Sequence, residues 1–400
     1  MTASVWQRPP AVEADVAIVG GGVIGTATAF ALRQLAPDLR VVIVEAERLA
    51  FGASGRNAGF LLLGTHADYA SAVATYGRDR ARRLWRFTNE AYRLAADLGA
   101  RRAVGFAATG SVLAAGDAVE AERLRESHDL LAEDGVASAL AERGEADART
   151  GGQGFPAALY VPEGGVIDPA RLVAALAAES GARVIERWPV AEIESEGERV
   201  RLAGPEGGEV AAGRVLVAAN AFLPRLLPAL VSAVRPVRAQ MFATATAPLR
   251  LAAPVYSHEG HYYLRQRADG RVLVGGARHL HEADEVGYDD ATTDALQASL
   301  AAYVAEHFPD FARLAVERRW SGTMGFSPDG LPVLGGVPGV TGARFAAGFT
   351  GHGMGYAMRF GQLAARSLLG EPDPAADLFD ARRLDPDVQP SPFAADVPAA

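Results

Sequence analysis

Three glycines near the amino terminus have the spacing that a dinucleotide phosphate requires. Gly20, Gly22 and Gly25 form the pattern G-x-G-x-x-G directly after the apolar, β-branched run 16–19. The first glycine permits a tight turn, the second lets a pyrophosphate approach the backbone, and the third lets a helix pack closely on the strand. Glu45 ends the next apolar run, where a carboxylate can accept hydrogen bonds from an adenosine ribose. The pattern therefore predicts a bound dinucleotide, and Glu45 disfavours NADP because it would repel the 2′-phosphate.

The chain carries neither lysine nor cysteine, and both absences restrict its chemistry. All 39 lysine-plus-arginine positions among the 400 residues are arginine. A Schiff base, a lysine general base and a P-loop lysine are therefore excluded. Without cysteine there can be no disulfide, thiolate metal site, thiol nucleophile or cysteinyl–flavin bond. The formal net charge of −9 argues against a nucleic-acid partner or an anionic membrane surface.

The elements that would position these residues follow from the hydrophobic pattern. A length of 400 residues exceeds the size of a domain that folds around a single hydrophobic core, so two domains are expected. Helical periodicity predicts helices over about 26–35, 76–98 and 356–369, and the pair Asp168-Pro169 has the preferred form of a helix start. Between these helical parts the sequence from about residue 238 to residue 274 is β-rich and contains a hairpin signal.

Six segments, in their order along the chain, resemble the FAD-dependent amine and amino-acid oxidoreductases of the D-amino-acid oxidase, glycine oxidase and sarcosine oxidase superfamily. They are the glycine pattern and the runs 52–59, 165–169, 215–220, 320–335 and 348–354. The resemblance covers nearly the whole chain, and the run 54–57 (Ser-Gly-Arg-Asn) is most similar to γ-glutamylputrescine oxidase-like members.

The resemblance implies an α/β fold in which a Rossmann-type FAD-binding domain is interleaved with an α+β substrate domain on a mostly antiparallel sheet. We expect residues 1–80, 150–225 and 320–400 to form the FAD-binding domain. Residues 81–149 and 226–319 would then form the substrate domain.

The resemblance also implies a non-covalent FAD, since neither cysteine nor histidine occurs in residues 52–59. The run 54–57 would follow the pyrophosphate and flavin largely through backbone groups, although Arg56 is alternatively a surface cation. The loop 351–354 would meet the pyrimidine end of the flavin, where a helix N-terminus stabilises the anionic reduced form. The backbone of Val190 would meet adenine. The expected cofactor-binding residues are Gly20, Gly22, Val23, Ile24, Gly25, Glu45, Ala46, Ser54, Gly55, Arg56, Asn57, Gly59, Val190, Ala219, Gly351, His352, Gly353 and Met354.

For the substrate, the resemblance implies that a neutral amine loses a hydride from its α-carbon to flavin N5, and that the imine then hydrolyses. Tyr263 matches an active-site tyrosine of glycine oxidase-like relatives, although a half-buried sheet tyrosine would show the same pattern. Arg278 and His279 either point toward the same cavity or lie on the surface. The expected catalytic residues are Tyr263, Arg278, His352 and Met324.

One residue departs from the family pattern. Relatives that oxidise free amino acids commonly have an arginine where this chain has Met324, and that arginine binds the substrate carboxylate bidentately. A thioether cannot do so. We therefore favour an amine without an α-carboxylate, and the alternative is that Arg278 or Arg265 holds the carboxylate.

The electron acceptor is open as well. Some sarcosine oxidase relatives place a lysine near N5, and here only arginine or histidine could supply that charge. We expect O2 to be reduced to H2O2, and a dehydrogenase passing electrons to a quinone or carrier is the alternative. An FAD-binding subunit without turnover and an NAD-dependent dehydrogenase are further alternatives, and the run 348–354 argues against NAD.

Other signals are weaker. The pairs His258/His261 and His279/His281 could be drawn as metal ligands, but surface or cavity histidines explain them better, and no metal is expected. The amino-terminal residues lack a signal peptide pattern, and no apolar run approaches the roughly eighteen residues of a membrane span. A cytoplasmic enzyme acting on a small molecule is the expectation.

Overall fold

The computed structural model describes residues 12–384, and the chain divides into two compact units. The first unit comprises the described parts of Met1–Gly55, Pro169–Pro236 and Met324–Ala400. The second comprises Arg56–Asp168 and Val237–Thr323. The chain thus returns to its first unit twice. The first change of unit falls after Gly55, whereas the expected domains change at residue 80.

The elements are as follows. The strands are β1 (Val12–Val19), β2 (Val41–Val44), β3 (Phe60–Leu61), β4 (Ser111–Ala114), β5 (Ala139–Glu142), β6 (Ala157–Val161), β7 (Gly165–Val166), β8 (Arg183–Ile185), β9 (Glu192–Glu196), β10 (Arg199–Ala203), β11 (Glu209–Val217), β12 (Arg235–Thr246), β13 (Val255–Ser257), β14 (Tyr262–Gln266), β15 (Arg271–Gly276), β16 (Val316–Phe326), β17 (Val333–Gly336) and β18 (Ala343–Ala347). The α-helices are α1 (Val23–Leu35), α2 (Ala53–Arg56), α3 (Tyr69–Tyr76), α4 (Arg78–Arg101), α5 (Ala118–Glu133), α6 (Gly144–Thr150), α7 (Pro169–Ser180), α8 (Leu223–Leu226), α9 (Asp294–His307), α10 (Pro309–Ala312), α11 (Gly353–Leu369) and α12 (Ala376–Phe379).

The first unit is built on a largely parallel sheet. Its strand order is β17-β18-β11-β1-β2-β8, in which β1 pairs in parallel with both β11 and β2. Helix α1 packs against α7 and α11. Residues 16–19 of β1 and 42–44 of β2 are buried because helices cover a parallel sheet, so both stretches read as continuous apolar runs. This is the predicted Rossmann-type arrangement.

The second unit is built on a mostly antiparallel sheet with the strand order β16-β12-β15-β14-β13-β4-β6-β5. Among the described pairs, β13 with β4 is parallel, and β14 pairs in antiparallel fashion with β13 and β15. Helix α9 supplies Leu300 and Tyr303 to the core of this unit. The predicted fold class is therefore confirmed for both parts of the chain.

Two helix boundaries differ from the periodicity-based prediction. The helix expected over 76–98 is broken, since α3 ends at Tyr76 and α4 begins at Arg78. Gly77 between them has φ 79°, a left-handed value that glycine adopts without strain and that no helix continues through. Helix α11 begins at Gly353, before the expected residue 356, because its first turn consists of the glycines that the pattern assigned to a loop. None of the described helices combines the length and the apolar character that crossing a membrane requires.

Candidate active site

The glycine pattern forms the predicted tight turn between β1 and α1. A Cβ on Gly25 would lie 2.0 Å from the carbonyl oxygen of Gly20, so this position accepts only glycine. Gly20 has φ 115°, and a Cβ there would lie 2.6 Å from the oxygen of Ala218, next to Ala219. The turn therefore brings the start of α1 close to the ends of β1 and β11, which is the arrangement that exposes a helix N-terminus to a phosphate.

The N-terminus of α1 is bonded by one side chain from a distant segment. Gly22 is the N-cap residue and makes no side-chain cap, whereas the Ser54 hydroxyl accepts a hydrogen bond of 2.9 Å from the backbone N–H of Val23. A Cβ on Gly22 would meet only Ser54, at 3.0 Å. Ser54 thus lies against the glycine turn, whereas a Cβ on Gly55 would meet Ala50.

Glu45 is fixed at the same turn. Its carboxylate accepts hydrogen bonds from the backbone N–H of Gly21, at 2.6 Å, and of Glu47, at 2.9 Å. Ala46 follows directly. Val190 lies between β8 and β9, partly buried against the core of the first unit. These positions agree with an adenosine pocket at the carboxyl ends of β1 and β2.

The second glycine loop precedes α11. Gly351 has φ 77°, and a Cβ there would lie 3.7 Å from the sulfur of Met324. His352 is the N-cap residue of α11, is 9% exposed, and its side chain makes no hydrogen bond to the first turn, which contains Gly353 and Met354. Met324 therefore lies beside the loop that the resemblance assigns to the flavin, and the positive end of the α11 dipole is at this loop.

In the second unit, the guanidinium of Arg56 is bound by protein groups. It donates to the carboxylate of Asp290 at 2.5 Å and to the carbonyl of Ser321 at 2.9 Å. The Trp320 indole donates to the Arg56 carbonyl at 2.8 Å, and the Asn57 amide oxygen accepts from the backbone N–H of Gly59 at 2.7 Å. The side chain of Arg56 is thus held by an ion pair with Asp290, and its carbonyl by the Trp320 indole.

Three rings converge on one side of β13 and β14 and form what we call the aromatic face, consisting of Phe60, Tyr256 and Tyr263. The ring centroids of Phe60 lie 5.3 Å from Tyr256 and 6.3 Å from Tyr263, and the two tyrosines stack at 5.6 Å. Burial raises the pKa of the Tyr263 hydroxyl to about 12, against a smaller opposing effect of Arg278. Burial also raises the pKa of Tyr256. Both phenols therefore stay protonated at neutral pH.

Two cations and a histidine accompany the aromatic face. Arg278 follows β15 in a short turn, and burial together with its charge lowers the pKa of His66 to about 4. Arg265 lies two residues after Tyr263 in β14, hence on the same face of the strand, and is 6% exposed. Its Nη1 donates to the carbonyl of Gly59 at 3.1 Å.

The charge of Arg278 thus acts on the Tyr263 hydroxyl, and the placement of both residues in one cavity stays a prediction. The structure adds His66 to the candidate residues, whereas Arg265 was already an alternative partner for a substrate carboxylate. His66 carried no usable signal, whereas the period-two alternation of a strand could have placed Arg265 beside Tyr263.

The histidine pairs lie in the second unit. The rings of His261 and His279 stack at 4.1 Å, and burial, followed by the charges of neighbouring histidines and arginine, lowers the pKa of His279 to about 4. Within residues 12–384, no group of three or more histidines and carboxylates is placed to hold a metal ion.

The glycine turn, Glu45 and the start of α1 define the first unit as a Rossmann-type dinucleotide-binding fold, and its residues fit FAD. The turn leaves no Cβ between the backbone and a pyrophosphate, and a second glycine-rich loop leads into α11, whose N-cap residue makes no side-chain cap. The sequence pattern of the family "DAO: FAD dependent oxidoreductase" matches residues 15–367, so the chain belongs to this family of FAD-dependent oxidoreductases.

The similarity to individual relatives extends over most of the chain. The chain is 28% identical over 376 residues to "Probable oxidoreductase OrdL" of Rhizobium meliloti (strain 1021), covering 91% of this chain and 85% of that one. It is 28% identical to gamma-glutamylputrescine oxidoreductase of Escherichia coli (strain K12), covering 92% and 85%. The crystal structure of glycine oxidase from Geobacillus kaustophilus superposes with a TM-score of 0.78 at 26% identity, covering 92% and 98%. These findings confirm the predicted family and cofactor.

Proposed function

We propose that this protein oxidises a small amine or amino acid and passes the electrons to O2. The observation that supports it best is the aromatic face, because three rings within 5.3–6.3 Å of one another can hold the apolar body of a small amine. The names of two relatives, gamma-glutamylputrescine oxidoreductase and glycine oxidase, agree with an amine or amino-acid substrate.

Bound FAD would supply the acceptor for a hydride from the substrate α-carbon, which converts the C–N single bond into an imine. Water then adds to the imine, giving a carbonyl compound and ammonia or a smaller amine. Two electrons and two protons pass to O2 and form H2O2, which balances the reaction. The protein contributes binding, orientation and electrostatics.

The residues of the second unit favour the neutral form of the amine. The positive charge of Arg278 acts on the Tyr263 hydroxyl. It would also repel a protonated amine bound beside Tyr263, and so it favours the neutral amine. The protonated Tyr256 and Tyr263 hydroxyls can donate hydrogen bonds to the amine lone pair or to a carboxylate. In the first unit, the glycine turn, Ser54 and Glu45 would hold the pyrophosphate and adenosine, and the start of α11 would stabilise negative charge on the flavin.

The direct test is anaerobic mixing of the FAD-loaded protein with a panel of amines and amino acids, with flavin bleaching as the readout. Replacing Tyr263 by Phe should slow bleaching about tenfold, the effect of one lost hydrogen bond. Tyr160→Phe is the matched control, since the Tyr160 hydroxyl donates to the Thr109 carbonyl at 3.2 Å. A panel in which no compound bleaches the flavin would instead support an FAD-binding subunit without turnover.

A dehydrogenase is the second candidate, and the lysine-free sequence favours it. Mixing the reduced protein with air in a stopped-flow instrument separates the two. Reoxidation at least as fast as turnover identifies an oxidase, whereas slow reoxidation combined with rapid turnover on an artificial quinone identifies a dehydrogenase.

A further inference from the structure

Arg265 carries a buried positive charge that no carboxylate neutralises at contact distance. Of the described arginines, Arg238 and Arg265 are the ones below 9% exposed. Arg238 forms a bidentate pair with Glu285, with both oxygens at 2.8 Å. Arg265 has no such pair in the described part of the chain. Because an unpaired buried charge is strongly unfavourable, its retention points to an electrostatic role.

The guanidinium of Arg265 is placed to act at a distance rather than to bind a ligand directly. Its Nη1 donates a hydrogen bond to the Gly59 carbonyl at 3.1 Å, and its Nε is buried without a hydrogen-bond partner. Only 6% of the residue is exposed, whereas the side chain of Arg278 is 28% exposed. A carboxylate could therefore reach Arg278 but not both donor edges of Arg265. Coulomb effects, in contrast, need no contact in a medium of low dielectric constant.

The charge persists at neutral pH. Burial lowers the pKa of Arg265 to about 10, with a smaller contribution in the same direction from Arg267. Asp168 and Asp269 act in the opposite direction, but from beyond ion-pair distance. Asp269 itself pairs with Arg267 and Arg271. A net positive charge thus remains at Arg265, tied to Gly59 in the segment that the family resemblance assigns to the flavin.

We propose that Arg265 is a positioning residue whose fixed positive charge raises the reduction potential of the bound FAD. Reduction by two electrons and one proton leaves the flavin with one more negative charge than the oxidised form, and a buried cation stabilises that charge. This inference rests on the FAD cofactor and not on the proposed amine oxidation. In a chain without lysine, Arg265 would then supply the positive charge near the flavin.

The test is the midpoint potential of the FAD-loaded protein, measured under nitrogen by equilibration with reference dyes during reduction by dithionite. In Arg265→Gln, which keeps a donor for Gly59 but removes the charge, the equilibrium constant for reduction should fall about tenfold. For a two-electron couple this equals about 30 mV. Arg265→Lys should stay at the parent value.

Two further variants separate charge from local structure. Arg267→Met removes an exposed arginine paired with Asp269 at 3.3 Å and should leave the potential unchanged. Leu273 pairs with Arg265 across β14 and β15, so Leu273→Glu places a carboxylate beside the guanidinium. It should lower the potential as Arg265→Gln does, and it tests the charge even if Arg265→Gln does not retain FAD.

The proposal is overturned if Arg265→Gln and Leu273→Glu keep the parent potential, or if Arg265→Lys falls as far as Arg265→Gln. The second result would assign the effect to the Gly59 hydrogen bond rather than to the charge. Because dithionite reduces the flavin without substrate, these measurements stand even if no amine is ever oxidised.

Discussion

Replacing Gly25 by Ala should weaken FAD binding strongly, and the size of the effect follows from the geometry of the glycine turn. The added Cβ would lie 2.0 Å from the Gly20 carbonyl oxygen, whereas ordinary contact begins at 3.4 Å. The start of α1 must therefore move by about 1.4 Å. Such a shift lengthens a hydrogen bond of about 2.9 Å beyond useful range.

Each lost hydrogen bond to a charged phosphate weakens binding by about 1.5–3 kcal/mol, or roughly ten- to more than a hundredfold. Overpacking adds about 1–3 kcal/mol of destabilisation. The assay is titration of FAD-free protein with FAD, followed by flavin fluorescence, alongside thermal unfolding. Gly336→Ala is the matched control, since a Cβ there meets nothing within 4 Å. An affinity of Gly25→Ala equal to that of the parent would refute the assignment of this turn to the pyrophosphate.

Three other expectations can be checked separately. Glu285→Gln leaves the guanidinium of Arg238 buried without its carboxylate and should lower the free energy of unfolding in urea by about 3–5 kcal/mol. Met324→Arg should create turnover of α-amino acids, seen as anaerobic flavin bleaching. Unchanged selectivity would count against the interpretation that Met324 replaces a carboxylate-binding arginine. Burial and Arg278 hold the pKa of His66 at about 4, below the unfolded value of about 6.5. The stabilising effect is therefore complete above pH about 6.5 and declines by up to about 3 kcal/mol toward pH 4, and His66→Gln should flatten this decline in pH-dependent unfolding curves.

The fold could be predicted because its strongest signals are local. The glycine spacing and the apolar strands β1 and β2 specify a Rossmann unit without knowledge of distant contacts. The ends of the helices were harder to predict. The break at Gly77 depends on its positive φ, and the amphipathic pattern continues on both sides of this residue without showing the break. The strand pairing that joins β4 to β13 links residues more than 140 positions apart, and no local pattern encodes such a pairing.

The candidate site was predictable only where a motif carries it. Ser54 was expected near the pyrophosphate, and its hydroxyl does bind the start of α1. The partner of Arg56, in contrast, is Asp290, 234 positions later, and only the folded chain brings them together. Arg265 could be named as a candidate cation, but its burial and its bond to Gly59 depend on tertiary packing.

The protonation states in the second unit lead to a further expectation about pH. Near the aromatic face, the pKa of Tyr263 is raised to about 12 and that of His66 is lowered to about 4, while Arg278 stays charged. Between pH 6 and 9 none of these groups changes its protonation, and Arg265, whose pKa is about 10, also stays charged. If a neutral amine is the reactive form, the rising limb of kcat/KM against pH over this range should therefore follow the amine itself. Two substrates whose own pKa values differ by about one unit should show limbs displaced by the same amount, measured as initial rates between pH 6 and 9. A limb at the same pH for both amines would show that a protein group titrates instead, and would contradict this account of the second unit.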